Sequence, residues 1–257
     1  MGLLLAIDIG NTNIAMGAFD GDELAGRWSV PSAACSSPDG FATVLRTLFS
    51  PAGIEISSLE GCIICSVVPA LNGVVRAALG GLIAEPVRIV GDDVEAGVKA
   101  LVEKPSEVGS DRLVNIVAGF DRYKEALIIV DLGTAATFDV VTPKGEYAGG
   151  VIAPGIGISA EALFKKTALL PRVEPERPER VIGTNTVNSI RSGLYWGFVG
   201  LVDGIIERMI GELGYAPLVI ATGGAASLVT GSSRFVKQCD ENLTLKGLRI
   251  IYERNTR

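Results

Sequence analysis

The sequence predicts an α/β protein made of two similar halves that face each other across a cleft. A short phrase occurs twice, as AIDIGNTN at residues 6–13 and as IVDLGTAAT at residues 129–137. Each copy places an aspartate at the end of an apolar run, followed by a glycine and a turn rich in Thr, Asn or Ala. Strand and helix patterns also alternate in the same order in both halves. We therefore divide the chain into residues 1–117 and 118–257.

The first half carries four strand patterns, three helix patterns and one tight turn. Apolar runs of strand length, and apolar spacing typical of helices, identify them. The predicted strands are Leu3–Ile7, Ala25–Val30, Gly61–Val68 and Val87–Val90; the predicted helices are Phe41–Phe49, Leu71–Ile83 and Leu113–Tyr123; the hairpin turn is Asp20-Gly21-Asp22.

The second half repeats this order and adds a long helix. Its predicted strands are Leu127–Val130, Ala136–Thr142, Tyr147–Ile152 and Leu218–Thr222, with a hairpin turn at Pro143-Lys144-Gly145 and a glycine pair at Gly223-Gly224.

Two segments of the second half leave alternatives open. The predicted helix Arg191–Leu213 carries glycines at 193, 197, 200 and 204, which indicate close packing either in the core or across a dimer interface. Pro171–Arg180 is rich in proline and charge. This composition is typical of a solvated connector, and the alternative is a mobile flap over the substrate.

Composition narrows the classes of function. The chain has 257 residues, 48% hydrophobic content and a formal net charge of -6, so it is globular and lacks the basic surface that a nucleic-acid backbone requires. The apolar N-terminus has no basic flank, and the uncharged stretch Ser192–Val202 is too short for a membrane span. We expect a cytoplasmic protein that binds neither nucleic acid nor membrane.

Cysteine and histidine usage constrains the chemistry. Cys62 and Cys65 have the spacing of a redox pair, but they lie within an apolar strand pattern and no second pair follows. We interpret them as core residues, with a redox role as the alternative. Because the chain contains no histidine, a general base must be another side chain, and a hard metal ion must be held by oxygen ligands.

The first repeated turn has the composition of a phosphate site. Gly10 allows close approach of a ligand to the backbone, and Asn11 and Thr12 offer amide and hydroxyl groups. Asp8 can hold magnesium directly or through water. The alternative is a plain Asx-type turn between two hairpin strands.

The second repeated turn places Asp131 and Gly133 in the same arrangement, with Thr134 and Thr137 as hydroxyl donors. Two acidic strand ends that approach one another repel unless a cation lies near them. A bound metal ion resolves this repulsion most simply.

A third group, Gly109-Ser110-Asp111-Arg112, permits two interpretations. In one, Asp111 and Arg112 form an exposed helix start with a neighbouring cation. In the other, Asp111 accepts a proton from a substrate hydroxyl while Arg112 binds a substrate carbonyl or carboxylate.

Together these motifs resemble those of type III pantothenate kinases. The resemblance runs in order over nearly the whole chain, which makes it far more specific than any single motif. It rests on Asp8-x-Gly10-Asn11-Thr12, Gly109-x-Asp111-Arg112, Asp131-x-Gly133-Thr134-Ala135-x-Thr137, Gly149-Gly150-x-Ile152-x-Pro154-Gly155, Gly183-x-Asn185-Thr186, Ala221-Thr222-Gly223-Gly224 and the closing segment Leu243–Leu248.

The resemblance implies the fold of the actin-like ATPase and acetate and sugar kinase superfamily, with two ribonuclease-H-like halves and nucleotide between them. It implies ATP-dependent phosphorylation of the primary hydroxyl of pantothenate, the first step of coenzyme A synthesis, by a homodimer that uses Mg²⁺ and a monovalent cation, K⁺ or NH₄⁺. By position it implies ATP contacts at Asp8, Ile9, Gly10, Asn11, Thr12, Asn13, Ile14, Ala15 and Thr134, pantothenate contacts at Gly109, Ser110, Asp111, Arg112 and Thr186, Asp111 as the catalytic proton acceptor, and Asp131 as the cation ligand.

One position departs from the family pattern. The family usually has Tyr-x-Asn-Pro where this chain has Val102-Glu103-Lys104-Pro105, so Val102 replaces a tyrosine that contacts pantothenate. Two alternative functions follow. One is an ATP-dependent kinase for another small hydroxylated acid or amide, and the other is a nucleotide-sensing protein without turnover.

Overall fold

The computed structural model describes residues 2–83 and 85–256, which form two compact units. The first unit comprises residues 1–99, 103–121 and 243–257, and the second comprises residues 100–102 and 122–242. The sequence-based division at 117/118 differs from these units, because the last helix packs on the first sheet and residues 118–121 stay with the first unit.

The first unit is a five-stranded mixed sheet with helices on both faces. Its sheet order is β3-β2-β1-β4-β5, in which β1 pairs antiparallel with β2 and parallel with β4. The elements are β1 Leu3–Ile9, β2 Asn13–Asp20, β3 Glu23–Pro31, α1 Pro38–Phe49, β4 Leu59–Ser66, α2 Pro69–Leu79, β5 Arg88–Ile89, α3 Ser110–Tyr123 and the last helix, α7 Leu243–Thr256.

Alternation along β1 separates the two faces of this sheet. Leu5, Ile7 and Ile9 are fully buried in the core that includes α1 and α2. Ala6 lies on the opposite face, in a core that includes residues of α3 and α7. Asp8 follows Ala6 in the same alternation and therefore lies on the α3 and α7 face.

The second unit has a five-stranded sheet of order β10-β9-β6-β7-β8. Helix α5 covers one face through Phe198, Val202 and Ile206, which pack on the apolar residues of β6 and β7. The elements are β6 Leu127–Leu132, β7 Ala135–Val141, β8 Tyr147–Pro154, α4 Ile156–Lys166, α5 Thr186–Leu213, β9 Leu218–Thr222, α6 Ala226–Thr230 and β10 Gln238–Cys239. Short 3-10 turns occur in the first unit at Ser32–Cys35, Ser50–Ala52, Ile56–Ser58 and Pro105–Glu107.

The two sheets share one topology. In each, the first strand pairs antiparallel with the second and parallel with the fourth, and the third strand lies at one edge. Strand β6 therefore corresponds to β1, and β9 corresponds to β4. The predicted duplicated α/β fold is confirmed.

Four helices differ from the sequence prediction, and the shortest of them, the five-residue α6, was not predicted. Helix α5 begins at Thr186 instead of Arg191, because the side chain of Asn185 accepts a hydrogen bond from the Asn188 amide and caps the helix. Helices α4 and α7 were not predicted at all. In the part of the chain that the structure describes, no helix is both long enough and apolar enough to cross a membrane.

Candidate active site

The turn between β1 and β2 is held by main-chain bonds and presents its side chains to solvent. The Gly10 amide donates to the Asn13 carbonyl at 3.0 Å, and the Thr12 carbonyl accepts from the Ser32 amide at 2.9 Å. The side chains of Asn11, Thr12 and Asn13 are exposed. A fixed turn with exposed polar groups suits the binding of a phosphate group.

The flanking residues contribute in other ways. Ile9 and Ile14 are fully buried, so only their main-chain groups can reach a ligand. Ala15 is the register partner of Asp8 on β2. Asp8 is half-buried, and its Oδ1 accepts a hydrogen bond from the Cys65 thiol, whose Sγ lies 3.3 Å away.

The Gly109–Arg112 segment begins helix α3 and is joined to the end of β4. The Ser66 amide donates to the Ser110 hydroxyl at 3.3 Å. The carboxylate of Asp111 folds back over the chain: its Oδ1 accepts from the Arg112 amide at 2.8 Å. A Cβ on Gly109 would lie 2.5 Å from the same oxygen, so the absence of a side chain there leaves room for the carboxylate.

The electrostatic setting of Asp111 suits a proton acceptor. Burial raises the pKa of this carboxyl group, while the Arg112 amide and the Arg112 charge act in the opposite direction. A carboxylate with a raised pKa is a stronger base, and it remains near the charge that keeps it ionised at neutral pH.

Cys65 is influenced by both Asp8 and Asp111, the acidic residues of the candidate site in this unit. Burial raises the pKa of the Cys65 thiol, and the charges of Asp8 and Asp111 raise it further. Cys62 lies in the core on the opposite face of the sheet, and both thiols are free and buried. The interpretation of these cysteines as core residues is confirmed.

The turn between β6 and β7 is one residue shorter than the first turn and is also held by main-chain bonds. The Gly133 amide donates to the Ala135 carbonyl at 3.0 Å, and the Thr134 carbonyl accepts from the Gly155 amide at 3.2 Å. Thr134 is exposed. The second unit therefore also offers a fixed turn with an accessible hydroxyl group.

Asp131 lies near the end of β6, close to the backbone of Gly223. It is half-buried, and a Cβ on Gly223 would lie 2.5 Å from its Oδ1. The backbone of Gly223 has φ of 90°, a conformation that favours glycine. Among residues 2–83 and 85–256, no group of three or more His, Cys, Asp or Glu side chains could hold a metal ion. A cation here would rely on one carboxylate, main-chain carbonyls and ligand oxygens, which suits a hard ion.

Thr186 begins helix α5 and lines a shallow pocket of about 620 Å³. The packing of Gly183 on the backbone of Ser189 shapes one wall. The lining also includes Leu163, Leu170, Asn185, Ile190 and Gly193.

The connector Pro171–Arg180 is attached to neighbouring elements. Val173 is buried, and Glu176 forms an ion pair with Arg191 of α5 at 2.5 Å. The Ser192 hydroxyl donates to the carbonyl of Val181, just beyond the connector. These contacts fit a solvated connector better than a free flap.

The structure thus divides the predicted site residues between the units. Asp8–Ala15 and Gly109–Arg112 belong to the first unit, and Asp131, Thr134 and Thr186 belong to the second. Sequence reasoning missed the polar contact of Cys65 with Asp8 and the close approach of Gly223 to Asp131. Only the position of each residue at a strand end gives a signal for them.

Comparison with known proteins identifies the family. Residues 4–208 match the profile of the family described as Type III pantothenate kinase. A type III pantothenate kinase from Anaeromyxobacter sp. (strain Fw109-5) is 50% identical, covering 98% of this chain and 100% of the relative. One from Geobacter sulfurreducens is 49% identical over 98% and 99%.

A solved structure supports the fold. A ROK family glucokinase from Streptomyces griseus, in complex with glucose and AMPPNP, superimposes with a TM-score of 0.56 at 11% identity, covering 98% of this chain and 100% of that one. At this identity the likeness concerns the fold alone. The two long matches at about half identity carry the assignment, and this chain belongs to the type III pantothenate kinase family.

Proposed function

We propose that this chain transfers the γ-phosphate of ATP to the primary hydroxyl of pantothenate, the first step of coenzyme A synthesis. Family membership over nearly the full length supports the reaction. The observation that carries the chemistry is the Asp111 carboxylate. It is held by the Arg112 amide at the start of α3, and burial raises its pKa.

In this proposal the protein positions groups and neutralises charge, which is most of what phosphoryl transfer requires. Asp111 accepts the proton of the substrate hydroxyl, and Arg112 binds the carbonyl or carboxylate of the substrate. Main-chain amides and hydroxyls of Asp8–Ala15 hold the phosphates. ATP supplies the phosphoryl group, and Mg²⁺ offsets its charge. Because the chain has no histidine, a carboxylate takes the part of the base.

The second unit is proposed to hold a monovalent cation and part of each ligand. Asp131 would bind K⁺ or NH₄⁺ with its carboxylate, and the Thr134 hydroxyl would contact ATP. Thr186, exposed at the start of α5, would contact pantothenate. We place the reaction in the cytoplasm.

We further propose that two copies of the chain form a homodimer through α5. Gly193, Gly197 and Gly200 are exposed on one face of this helix, and a Cβ added at any of them would meet no atom within 4 Å. They therefore do not serve close packing within the core. Exposed apolar residues lie in the segment between α4 and α5, with Leu169 and Ile182 at 92% and 83% exposure. A face of small and apolar residues suits close helix packing between subunits.

Sedimentation of two arginine variants tests the dimer. Gly197→Arg should shift the protein to the monomer, because a long charged side chain would enter the proposed interface. Gly73→Arg is the matched control, since Gly73 is also an exposed helical glycine with open space around it, on α2. If wild type is monomeric, the dimer is excluded. If wild type is a dimer and Gly197→Arg sediments as Gly73→Arg does, the interface through α5 is excluded.

Because Val102 stands where the family usually has a tyrosine, the identity of the substrate should be tested directly. Val102 is half-buried, and its Cγ1 lies 3.9 Å from the place where a Cβ on Gly149 would stand. Valine cannot donate a hydrogen bond, and a buried substrate group left unpaired costs about 1 to 3 kcal/mol. A screen of related hydroxylated acids and amides should therefore accompany the pantothenate assay.

The deciding experiment measures formation of phosphopantothenate from ATP by the purified protein, with Mg²⁺ and with either K⁺ or Na⁺. We expect product that K⁺ stimulates, and loss of most turnover with near-normal ATP binding in Asp111→Asn. Turnover of another alcohol with pantothenate inert would favour the alternative kinase. ATP binding without product under any cation would favour the sensor.

A further inference from the structure

Cys65 lies beside Asp8 at the end of the first sheet. The two residues are register partners on the parallel strands β1 and β4. The thiol is fully buried, and its Sγ lies 3.3 Å from Asp8 Oδ1. Asp8 is a carboxylate and can only accept, so the thiol is the donor in this contact.

The surrounding structure fixes this contact from several directions. Just beyond it, the Val67 amide donates to the Ile9 carbonyl at 3.1 Å, which ties the two strand ends together. Ile63 and Val114, from β4 and α3, are buried in the same core as Cys65. The thiol is fully buried and therefore has little freedom to turn away from the carboxylate.

The second unit has a comparable arrangement at the equivalent position. Asp131 of β6 is the register partner of Thr222 on β9, and Thr222 is also buried. In both units a small residue with a donor group stands beside the strand-end aspartate. Cys65 therefore occupies a position that is also small and buried in the second unit.

We propose that Cys65 is a positioning residue for Asp8, and that its thiol hydrogen bond sets the orientation in which the carboxylate meets the nucleotide and its metal ion. The inference rests on the proposed function, because it takes Asp8 as part of the nucleotide site. Cys65 itself touches neither nucleotide nor substrate. A hydrogen bond of this kind limits rotation of the carboxylate before the ligand arrives.

Three single variants separate donor chemistry from packing. Cys65→Ala removes the donor, and we expect the KM for MgATP to rise about three- to tenfold with kcat changed less than about twofold. Cys65→Ser keeps a donor and should stay within about twofold of wild type. Cys62→Ala is the matched control: it removes an equally buried thiol three positions away on the same strand, in the core on the other face.

Calorimetry gives a readout that does not depend on turnover. The Kd of a Mg²⁺ complex of a non-hydrolysable ATP analogue should rise by a similar factor in Cys65→Ala only. When Asp8 is already replaced by Asn, Cys65→Ala should change this Kd much less, because the effects of two contacting residues that act together are not additive. If the effects of the two substitutions on Kd were instead additive, the inference would be overturned.

The outcomes distinguish this inference from the proposed function. If Asp8→Asn binds the analogue as wild type does, the assignment of Asp8 to the nucleotide site is wrong. If Asp8→Asn is impaired while Cys65→Ala behaves as wild type, only the role of Cys65 fails. Equal impairment of Cys65→Ser, or of Cys62→Ala, would also overturn it, because packing would then explain the effect.

Discussion

At the scale of single residues, the surroundings of Asp111 support its proposed role as a base and carry a stability cost. Burial favours the neutral carboxyl group and raises its pKa, and the Arg112 amide, the Arg112 charge and the Asp111 backbone amide oppose this effect. A residue held in this way is a useful base, but its ionised form is less stable in the folded protein than in the unfolded chain.

Asp111→Asn should therefore stabilise the protein at neutral pH. Because the folded-state pKa is raised, wild type loses stability as pH rises from the unfolded pKa, about 3.9, through the folded value, whereas asparagine does not titrate. Urea unfolding of both proteins between pH 4 and 8 should show a gain that grows with pH. Asp20→Asn, which changes an exposed residue at the end of β2, is the control. A gain that is independent of pH would contradict this account.

Gly109 is expected to matter through the carboxylate beside it. In Gly109→Ala the new Cβ would stand 2.5 Å from Asp111 Oδ1. The carboxylate can rotate away, so the fold should tolerate the change while the base is displaced. We expect kcat to fall about tenfold or more with ATP-analogue binding nearly unchanged. Gly73→Ala on α2 is the control, and unchanged kcat in Gly109→Ala would exclude this role.

At the scale of elements, local signals could be predicted and distant contacts could not. The two strand-turn units were predictable because Asp8-x-Gly10 and Asp131-x-Gly133 each encode a strand end and a turn within a few residues. The Cys65–Asp8 contact spans 57 residues of sequence, and nothing near either residue specifies it. The first turn of α5 was missed because its cap, Asn185, precedes residues that have no clear apolar period.

The two longer unpredicted helices, α4 and α7, were each missed for a physical reason. Helix α4 follows Pro154-Gly155 and contains Gly157, signals that usually mark a turn. Helix α7 is interrupted by Gly247 and charged residues, and Leu245, Leu248 and Ile251 are buried because they pack on the first sheet. Its resemblance to the family's closing segment identified its sequence but not its conformation.

Asp203 joins α5 to the loop after α6. It is buried and accepts hydrogen bonds from the Ser233 hydroxyl at 2.5 Å and from the Arg234 amide at 3.0 Å. Asp203→Ala would leave these donors without their acceptor, and we expect a loss of about 2 to 4 kcal/mol in the free energy of unfolding. Urea denaturation measures it.

The control for this prediction is Glu207→Ala on the same helix. Glu207 is exposed and accepts hydrogen bonds from the guanidinium of Arg234. An exposed ion pair contributes at most about 1 kcal/mol. Equal losses in the two variants would show that Asp203 is not an anchor of the loop.

At the scale of the whole molecule, the chain leaves its first unit and returns to it. Residues 243–257 belong with the N-terminal sheet, so the two units are not consecutive in sequence. A boundary near residue 117 follows from the repeated phrase, but the place of α7 depends on packing that no local pattern encodes. The duplicated topology itself was predictable because the strand-end motif occurs in both halves of the sequence.

Duplication also leads to a prediction about cations. Asp8 and Asp131 end equivalent strands, but their neighbours differ: Asp8 accepts from the Cys65 thiol, whereas the main chain of Gly223 stands against Asp131. We therefore expect Asp131→Asn to lose the difference between K⁺ and Na⁺ with little change in the Mg²⁺ concentration for half-maximal rate. Asp8→Asn should raise that Mg²⁺ concentration several-fold, about 1 kcal/mol or more, and keep its preference for K⁺. Rates measured over both cation titrations decide the matter, because equal shifts in both variants would contradict separate roles for the two carboxylates.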